Sequence, residues 1–330
     1  MRLTDFVHTV GAQWQRRYGT AVGKIALSGG FTCSNRDGTL GRGGCTFCSV
    51  SSFSDLPEGD IASQIAAGSG NAPDPGAGSG RFRRFFAYFQ AYTSTYGEIG
   101  RLRELYRQAS SSAQIVGLSV GTRPDCLGSA CVDLLRSLRA EGLDILVELG
   151  LQTSCDKTLT AVNRGHGADA FLRAAEMVKR ADLELCTHLI VGLPGEELEV
   201  NVRSLRTALE AGSDALKMHP LLIARGAVMA AQYRRGEIAL LSLEEYVRRA
   251  GELIALTPSR VVYHRISSSA RGDQLLAPDY CRGRFTVIDA VTSYLSRYGV
   301  QGSAAGDPYL PGEPGAECSV PDRSSGAAEA

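Results

Sequence analysis

Short apolar runs alternate with amphipathic stretches along most of this chain. Six runs read as strands: Lys24 to Leu27, Arg84 to Phe89, Ile115 to Val120, Ile145 to Leu151, Leu185 to Val191 and Ala215 to Ile223. They are continuously apolar rather than alternating, as in strands covered on both faces. Helix-period stretches such as Leu134 to Glu141 and Ala168 to Ala181 lie between them. Strands alternating with helices predict parallel βα units and an α/β fold. Upstream, Phe6, Val10 and Trp14 at i, i+4 spacing predict one amphipathic helix over Leu3 to Tyr18. Downstream, Val261 to Ile266 predicts one more strand, between helices over Leu243 to Leu256 and Phe285 to Tyr298.

This pattern divides the chain into residues 1–220, an α/β core, and residues 221–302, an extension packed on it. Gly68 to Gly80 reads as a flexible insertion, and residues 303–330 as a disordered tail. At 330 residues with 44% hydrophobic content the chain is long enough to bury a full core. Formal net charge is zero, which removes any global electrostatic argument for nucleic acid or membrane. No run of 18 apolar residues occurs and the first residues lack the apolar stretch of a signal peptide, so a cytoplasmic protein that spans no membrane is expected.

The chemistry concentrates in Cys33-x11-Cys45-x2-Cys48, a loop that follows the first strand and carries glycines at 38, 41, 43 and 44. In a parallel barrel the C-terminal ends of the strands carry the active site. Soft thiolates select iron–sulfur or zinc. A closed zinc site or an electron-transfer cluster takes four protein ligands. Three thiolates on a four-iron cluster leave one iron open to a substrate. Zinc and unliganded thiols remain open readings at this point. The other cysteines form no Cys-x2-Cys pair, so a second cluster is not expected.

The segment Gly30-Phe31-Thr32-Cys33-Ser34-Asn35-Arg36-Asp37 through Gly43-Gly44-Cys45-Thr46-Phe47-Cys48 resembles radical S-adenosylmethionine (SAM) enzymes of the YhcC/YtqA-like family. That family has Cys-Pro-Asn-Arg-Asp-Gly here, with Ser34 now in place of the proline. The likeness continues through Ala87-Tyr88-Phe89-Gln90, Gly121-Thr122-Arg123-Pro124-Asp125-Cys126, Glu148-Leu149-Gly150-Leu151-Gln152-Thr153, Asn163-Arg164-Gly165-His166 and Gly192-Leu193-Pro194-Gly195-Glu196. Several of these segments also resemble the radical SAM domain of the catalytic subunit of Elongator, a tRNA-modifying complex.

The resemblance implies a partial (βα)6 TIM-like barrel with a C-terminal α/β extension. It implies that Cys33, Cys45 and Cys48 bind a 4Fe-4S cluster. SAM would chelate the open iron, and an electron would split it into methionine and a 5′-deoxyadenosyl radical. The electron donor would be a flavodoxin or ferredoxin. Gln90 stands where the superfamily usually has Gly-Gly-Glu contacting the SAM amino group. Arg123 is a candidate for the SAM carboxylate. Glu148 and Gln152, four apart on one strand face, are candidates for ribose or amino contacts. Gly192 and Pro194 are candidates for the adenine. Lys217 and His219 share a strand face and are candidate catalytic residues, in contact with the substrate or the SAM carboxylate. The leading expectation for the substrate is a tRNA base. A small metabolite or peptide is the enzyme alternative, and a non-catalytic iron–sulfur or zinc protein is the alternative of another class.

Overall fold

A computed structural model describes residues 1–49, 59–70, 83–270 and 272–305. Its main sheet has seven parallel strands in the spatial order β1-β2-β3-β4-β5-β6-β8. They are β1 Val22–Leu27, β2 Arg84–Phe89, β3 Ile115–Thr122, β4 Asp144–Gln152, β5 Glu184–Val191, β6 Ala215–Pro220 and β8 Val262–Arg265. The crossover helices are α2 Ile61–Gly70, α3 Ile99–Ser110, α4 Ser129–Ala140, α5 Asp156–Ala161, α6 Ala168–Arg180 and α7 Leu198–Glu210. Leu118, Leu135, Leu149, Phe171 and Leu185 belong to the large core between strands and helices. β1 and β8 end the sheet and do not pair. Yet Val22 and Val262 share one apolar cluster, and Lys24 Nζ lies 3.4 Å from His264 Nδ1. The sheet is therefore curled into a half-barrel with a lumen.

Three expectations change. The extension is not merely packed on the core, because its strand β8 joins the main sheet beside β6 and makes the sheet seven-stranded. The strand expected over Ala215 to Ile223 stops at Pro220. Ile223–Ala224 (β7) instead pairs antiparallel with Leu275–Ala277 (β9). Proline has no N–H to continue a ladder. The helix expected over Leu3 to Tyr18 is a 3-10 turn at Leu3–Asp5 and a separate helix α1, Val10–Tyr18. Between them the chain runs extended: His8 O accepts from Tyr263 N at 2.8 Å, and Thr9 bridges Tyr263 and caps α1. Of the expected insertion, 68–70 finish α2 and the rest lies outside the described residues, as does most of the expected tail.

The extension adds α8 Met229–Arg234, α9 Leu243–Leu256 and α10 Arg284–Tyr298. Leu221, Ile223, Met229 and Ile238 of the extension cluster with Val162 and Leu193 of the core, and Phe47 of the cysteine loop packs onto them. Among the described residues no helix is long and apolar enough to cross a membrane.

Candidate active site

Alternation along each strand puts every second side chain in the lumen, and the lumen is layered. At its base Trp14, Val22, Phe86, Leu146, Cys186, Ala215 and Val262 form a dry plug. The Trp14 ring from α1 stacks on Phe86, with centroids 4.4 Å apart and planes 5° from parallel. Gly117 makes room, since a Cβ there would sit 2.4 Å from the Phe86 ring. Two residues further along each strand the layer turns polar: Lys24, Tyr88, Ser119, Glu148, His188, Lys217 and His264.

Glu148 is the hub of that layer and is only 1% exposed. Its Oε1 accepts from Lys24 Nζ at 3.0 Å and Ser119 Oγ at 2.5 Å. Its Oε2 accepts from Tyr88 OH and His188 Nε2, each at 2.8 Å, and from Lys217 Nζ. Burial works against the carboxylate, but Lys217 and Lys24 outweigh it and hold Glu148 well below the usual range. Burial pushes the Lys217 ammonium down to about 8, against the pull of Glu148. Burial also lowers His188, His219 and His264, so these rings are neutral at neutral pH.

Above this layer opens a cavity of about 280 Å³. Its wall includes Cys48, Gln90, Arg123, Gln152, Lys217 and His219, together with the top of Glu148. Sequence-expected residues from five different segments thus meet at one place. Gly192 and Pro194 are not on this wall. Gly192, with φ of +92°, lies under Leu241, whose side chain would stand 2.9 Å from an added Cβ. That positive φ and the close packing both call for glycine there.

The cysteine loop is wound on its own backbone. Cys33 O accepts from Arg36 N and Asp37 N, Asn35 O from Gly44 N, and Cys45 O from Cys48 N. Gly43 and Gly44 both have φ of +79°, where glycine is at ease. Three neighbours anchor the loop. Arg101 Nη2 donates to Gly29 O at 2.9 Å. Thr46 N donates to Val162 O and Asn163 Nδ2 to Gly44 O, tying the loop to the turn after α5. Met229 N donates to Thr46 O from the extension.

Cys33, Cys45 and Cys48 are all free. Burial is the main force raising the Cys48 thiol, and Cys45 and Cys33 are near enough to add to it. Cys45 Sγ faces three N–H donors: Arg164 Nη1 at 3.5 Å, Asn35 Nδ2 at 3.8 Å and Arg123 Nη1 at 4.0 Å. A neutral thiol has little use for two guanidinium groups, whereas a metal-bound thiolate does. Arg164 Nε is buried without a hydrogen-bond partner and is a further N–H donor for an anion. The residues therefore fit an anionic thiolate cluster. Among the described residues, no three Cys, His, Asp or Glu side chains converge as ligands of a single metal ion.

Arg123 is oriented by Asp125, which accepts from its Nε at 3.0 Å and Nη2 at 2.8 Å. That bidentate edge is occupied, and Nη1 is the atom turned toward Cys45. Tyr92 and Gln152 have φ of +61° and +70° and both line the cavity. Asn163, with φ of +52°, anchors the loop. Non-glycine residues in this region are uncommon and gather where function holds strain.

Sequence reasoning missed Lys24, Ser119, Arg164 and Arg265. Arg164 stood inside a motif but carried no assigned role. Lys24 was the one charged residue in its strand, as Lys217 was in its own, and that parity was the available signal. Cys126 donates to or accepts from Ser34 Oγ at 3.1 Å, behind the loop, and Cys281 is fully buried.

A half-barrel of parallel strands with three free cysteines at its C-terminal mouth defines a class, and the comparisons agree. The chain belongs to the radical SAM superfamily: the profile described as Radical SAM superfamily matches residues 38–208, and the Radical SAM C-terminal domain matches 213–297. It is an enzyme of that superfamily. It is 47% identical to Protein YhcC of Escherichia coli K12 over 313 residues, 94% of this chain and 99% of that one. It is 30% identical to YtqA of Bacillus subtilis over 88% of this chain and 90% of that one. A shorter match, 28% identical over 154 residues, covers 46% of this chain and 28% of a tRNA uridine(34) acetyltransferase of Methanocaldococcus jannaschii. Among solved structures, Elp3 of Methanocaldococcus infernus superposes with a TM-score of 0.64 at 18% identity, over 86% of this chain and 64% of that one. The chain thus spans less than two thirds of that structure, and the likeness shows the fold.

Proposed function

We propose that Cys33, Cys45 and Cys48 hold a 4Fe-4S cluster with one open iron, and that the enzyme reductively cleaves SAM in the adjoining cavity to act on a tRNA base. The observation that carries the chemistry is the position of the cysteine loop: Cys48 shares a cavity wall with Arg123, Gln90 and Gln152. When bound, the cluster and SAM supply a 5′-deoxyadenosyl radical. The chain's own residues hold and orient. Arg164, Asn35 and Arg123 direct N–H groups at the Cys45 sulfur, which steadies negative charge there. Gln90 and Gln152 offer amide donors and acceptors to the polar groups of SAM. Phe47, Ile190 and Leu221 supply apolar wall and exclude water. Glu148 does not touch the ribose in this reading, because five donors already saturate its oxygens; it positions Lys217. The electron comes from a flavodoxin or ferredoxin, since the low end of the roughly −700 to +450 mV cluster range requires a strong reductant.

The tRNA assignment rests on kinship to the tRNA uridine(34) acetyltransferases and on the Elp3 fold. The test uses anaerobically reconstituted protein with dithionite and SAM. 5′-Deoxyadenosine is expected from the wild type and not from Cys48→Ala; equal product from both would overturn the ligand assignment. Adding tRNA from a strain lacking the protein, then digesting to nucleosides, is expected to show one mass-shifted nucleoside. An unchanged nucleoside profile moves the substrate to a small metabolite or peptide.

A further inference from the structure

The cavity carries two groups of cations with different partners. Arg123 and Arg164 face the Cys45 sulfur, and Asp125 neutralises Arg123. The second group stands on the opposite side of the sheet order, where β6 meets β8. Lys217 and Arg265 are register partners across that pairing, and both line the cavity. Lys24 lies beneath them and shares Glu148 with Lys217.

Three cations here meet one carboxylate, and its oxygens are already saturated. Among the described residues no ion pair to Arg265 is found. The neighbouring histidines do not change the balance, because burial keeps His188 and His219 neutral. His219 Nδ1 lies 3.3 Å from Ser267 O; a carbonyl only accepts, so Nδ1 carries the proton and Nε2 is an acceptor. Ser268 and Ser269 stand on the same wall. Lys217 is buried and already paired with Glu148, whereas Arg265 is exposed on the cavity wall without an ion pair among the described residues, so the group presents net positive charge to an entering ligand. A guanidinium beside an ammonium suits the planar or tetrahedral oxygens of a carboxylate or phosphate.

We propose that Lys217 and Arg265 form a subsite for an anionic group of the substrate, a carboxylate or phosphate, distinct from the cysteine side that takes SAM. Glu148 serves the subsite by fixing Lys217 in place. His219 Nε2 gives it an acceptor beside the anion, so the substrate carries an N–H or O–H donor near its negative charge. The proposal rests on the reading that this cavity admits the substrate.

The test is calorimetric titration of the reconstituted protein with inorganic phosphate, with malonate and, separately, with SAM, all at constant ionic strength. The wild type is expected to bind at least one of the two anions saturably. Arg265→Gln and Lys217→Met are each expected to weaken it about tenfold or more, the loss of one charge-assisted hydrogen bond. SAM affinity in Arg265→Gln is expected to stay within about twofold, because that charge-assisted bond is made to the substrate. A preference for phosphate points to a nucleic-acid backbone group, and a preference for malonate to a carboxylate on the substrate. Absence of saturable anion binding in the wild type overturns the subsite. So does an Arg265→Gln variant that loses SAM and anion affinity equally, since the anion is then the SAM carboxylate. Arg265 is exposed, so its variant reports even where Lys217→Met disturbs folding. Intact anion binding without 5′-deoxyadenosine formation counts against the proposed chemistry and leaves the subsite standing.

Discussion

The two layers of the lumen lie one strand repeat apart and obey opposite rules. On β1 the step runs from Val22 to Lys24, on β2 from Phe86 to Tyr88, on β4 from Leu146 to Glu148. On β5 it runs from Cys186 to His188, on β6 from Ala215 to Lys217, on β8 from Val262 to His264. The lower layer is stabilised by apolar area and shape, and any side chain of similar volume serves. The upper layer is a hydrogen-bonded charge network in which every member depends on the others. The backbone ladders run on from one layer to the next, with one register shift between them, at Leu216 and Lys217 where β6 pairs with β8. The difference is that the upper layer floors a cavity and the lower one seals it.

Removing the hub should break that contrast most severely. Glu148→Leu leaves the buried Lys217 and the half-buried Lys24 without a counter-charge, and a loss of about 3–5 kcal/mol is expected in denaturant unfolding. Combining it with Lys24→Met and Lys217→Met should restore most of that stability, and failure to do so would show that the layer is not held by charge pairing. In the plug, Phe86→Ala should cost about 3–4 kcal/mol by opening a cavity. Trp14, the single tryptophan, loses its stacking partner, so its emission should shift to the red together with the stability loss. Ser119→Ala removes one of five donors to Glu148, and about 1.5–3 kcal/mol is the expected loss for a bond to a charged group.

A second buried carboxylate sharpens the comparison. Glu196 accepts from Thr153 Oγ1 at 2.6 Å and Asn201 Nδ2 at 3.3 Å, and lies 4% exposed. Burial pushes it up to about 7, with its hydrogen bonds offsetting only part. Between its ordinary 4.5 and about 7 the folded chain keeps a proton that the unfolded chain releases. The associated stability is complete below that window and is lost as pH rises through 7. Glu196→Gln should therefore raise the melting point at pH 8, by about 1 kcal/mol or more of stability, and leave it unchanged at pH 5. An equal change at both pH values would remove ionisation as the cause.

Much of this was legible in the sequence, because continuous apolar runs reveal buried strands without reference to their neighbours. The helices over Leu243 to Leu256 and Phe285 to Tyr298 were legible for the same reason. What stayed hidden was non-local. The strand around Val262 could be read, but its place beside β6 depends on a pairing across more than forty residues. The break before Val10 depends on Tyr263, which takes His8 O as its acceptor. At the site, cysteine spacing exposed the loop, since metal-binding chemistry constrains it locally. Arg164 did not stand out, because a lone arginine in a loop reads as surface charge until the fold turns it inward, and Arg265 did not because it stays exposed on the cavity wall.

An incomplete ring has a mechanical property that a closed one lacks. β1 and β8 share no ladder, yet they are stitched together through Trp14, Lys24 and His264. Among the described residues the seam is joined by these side-chain contacts and not by a ladder. Its aperture is set by side chains, which yield, rather than by backbone hydrogen bonds, which must break as a set.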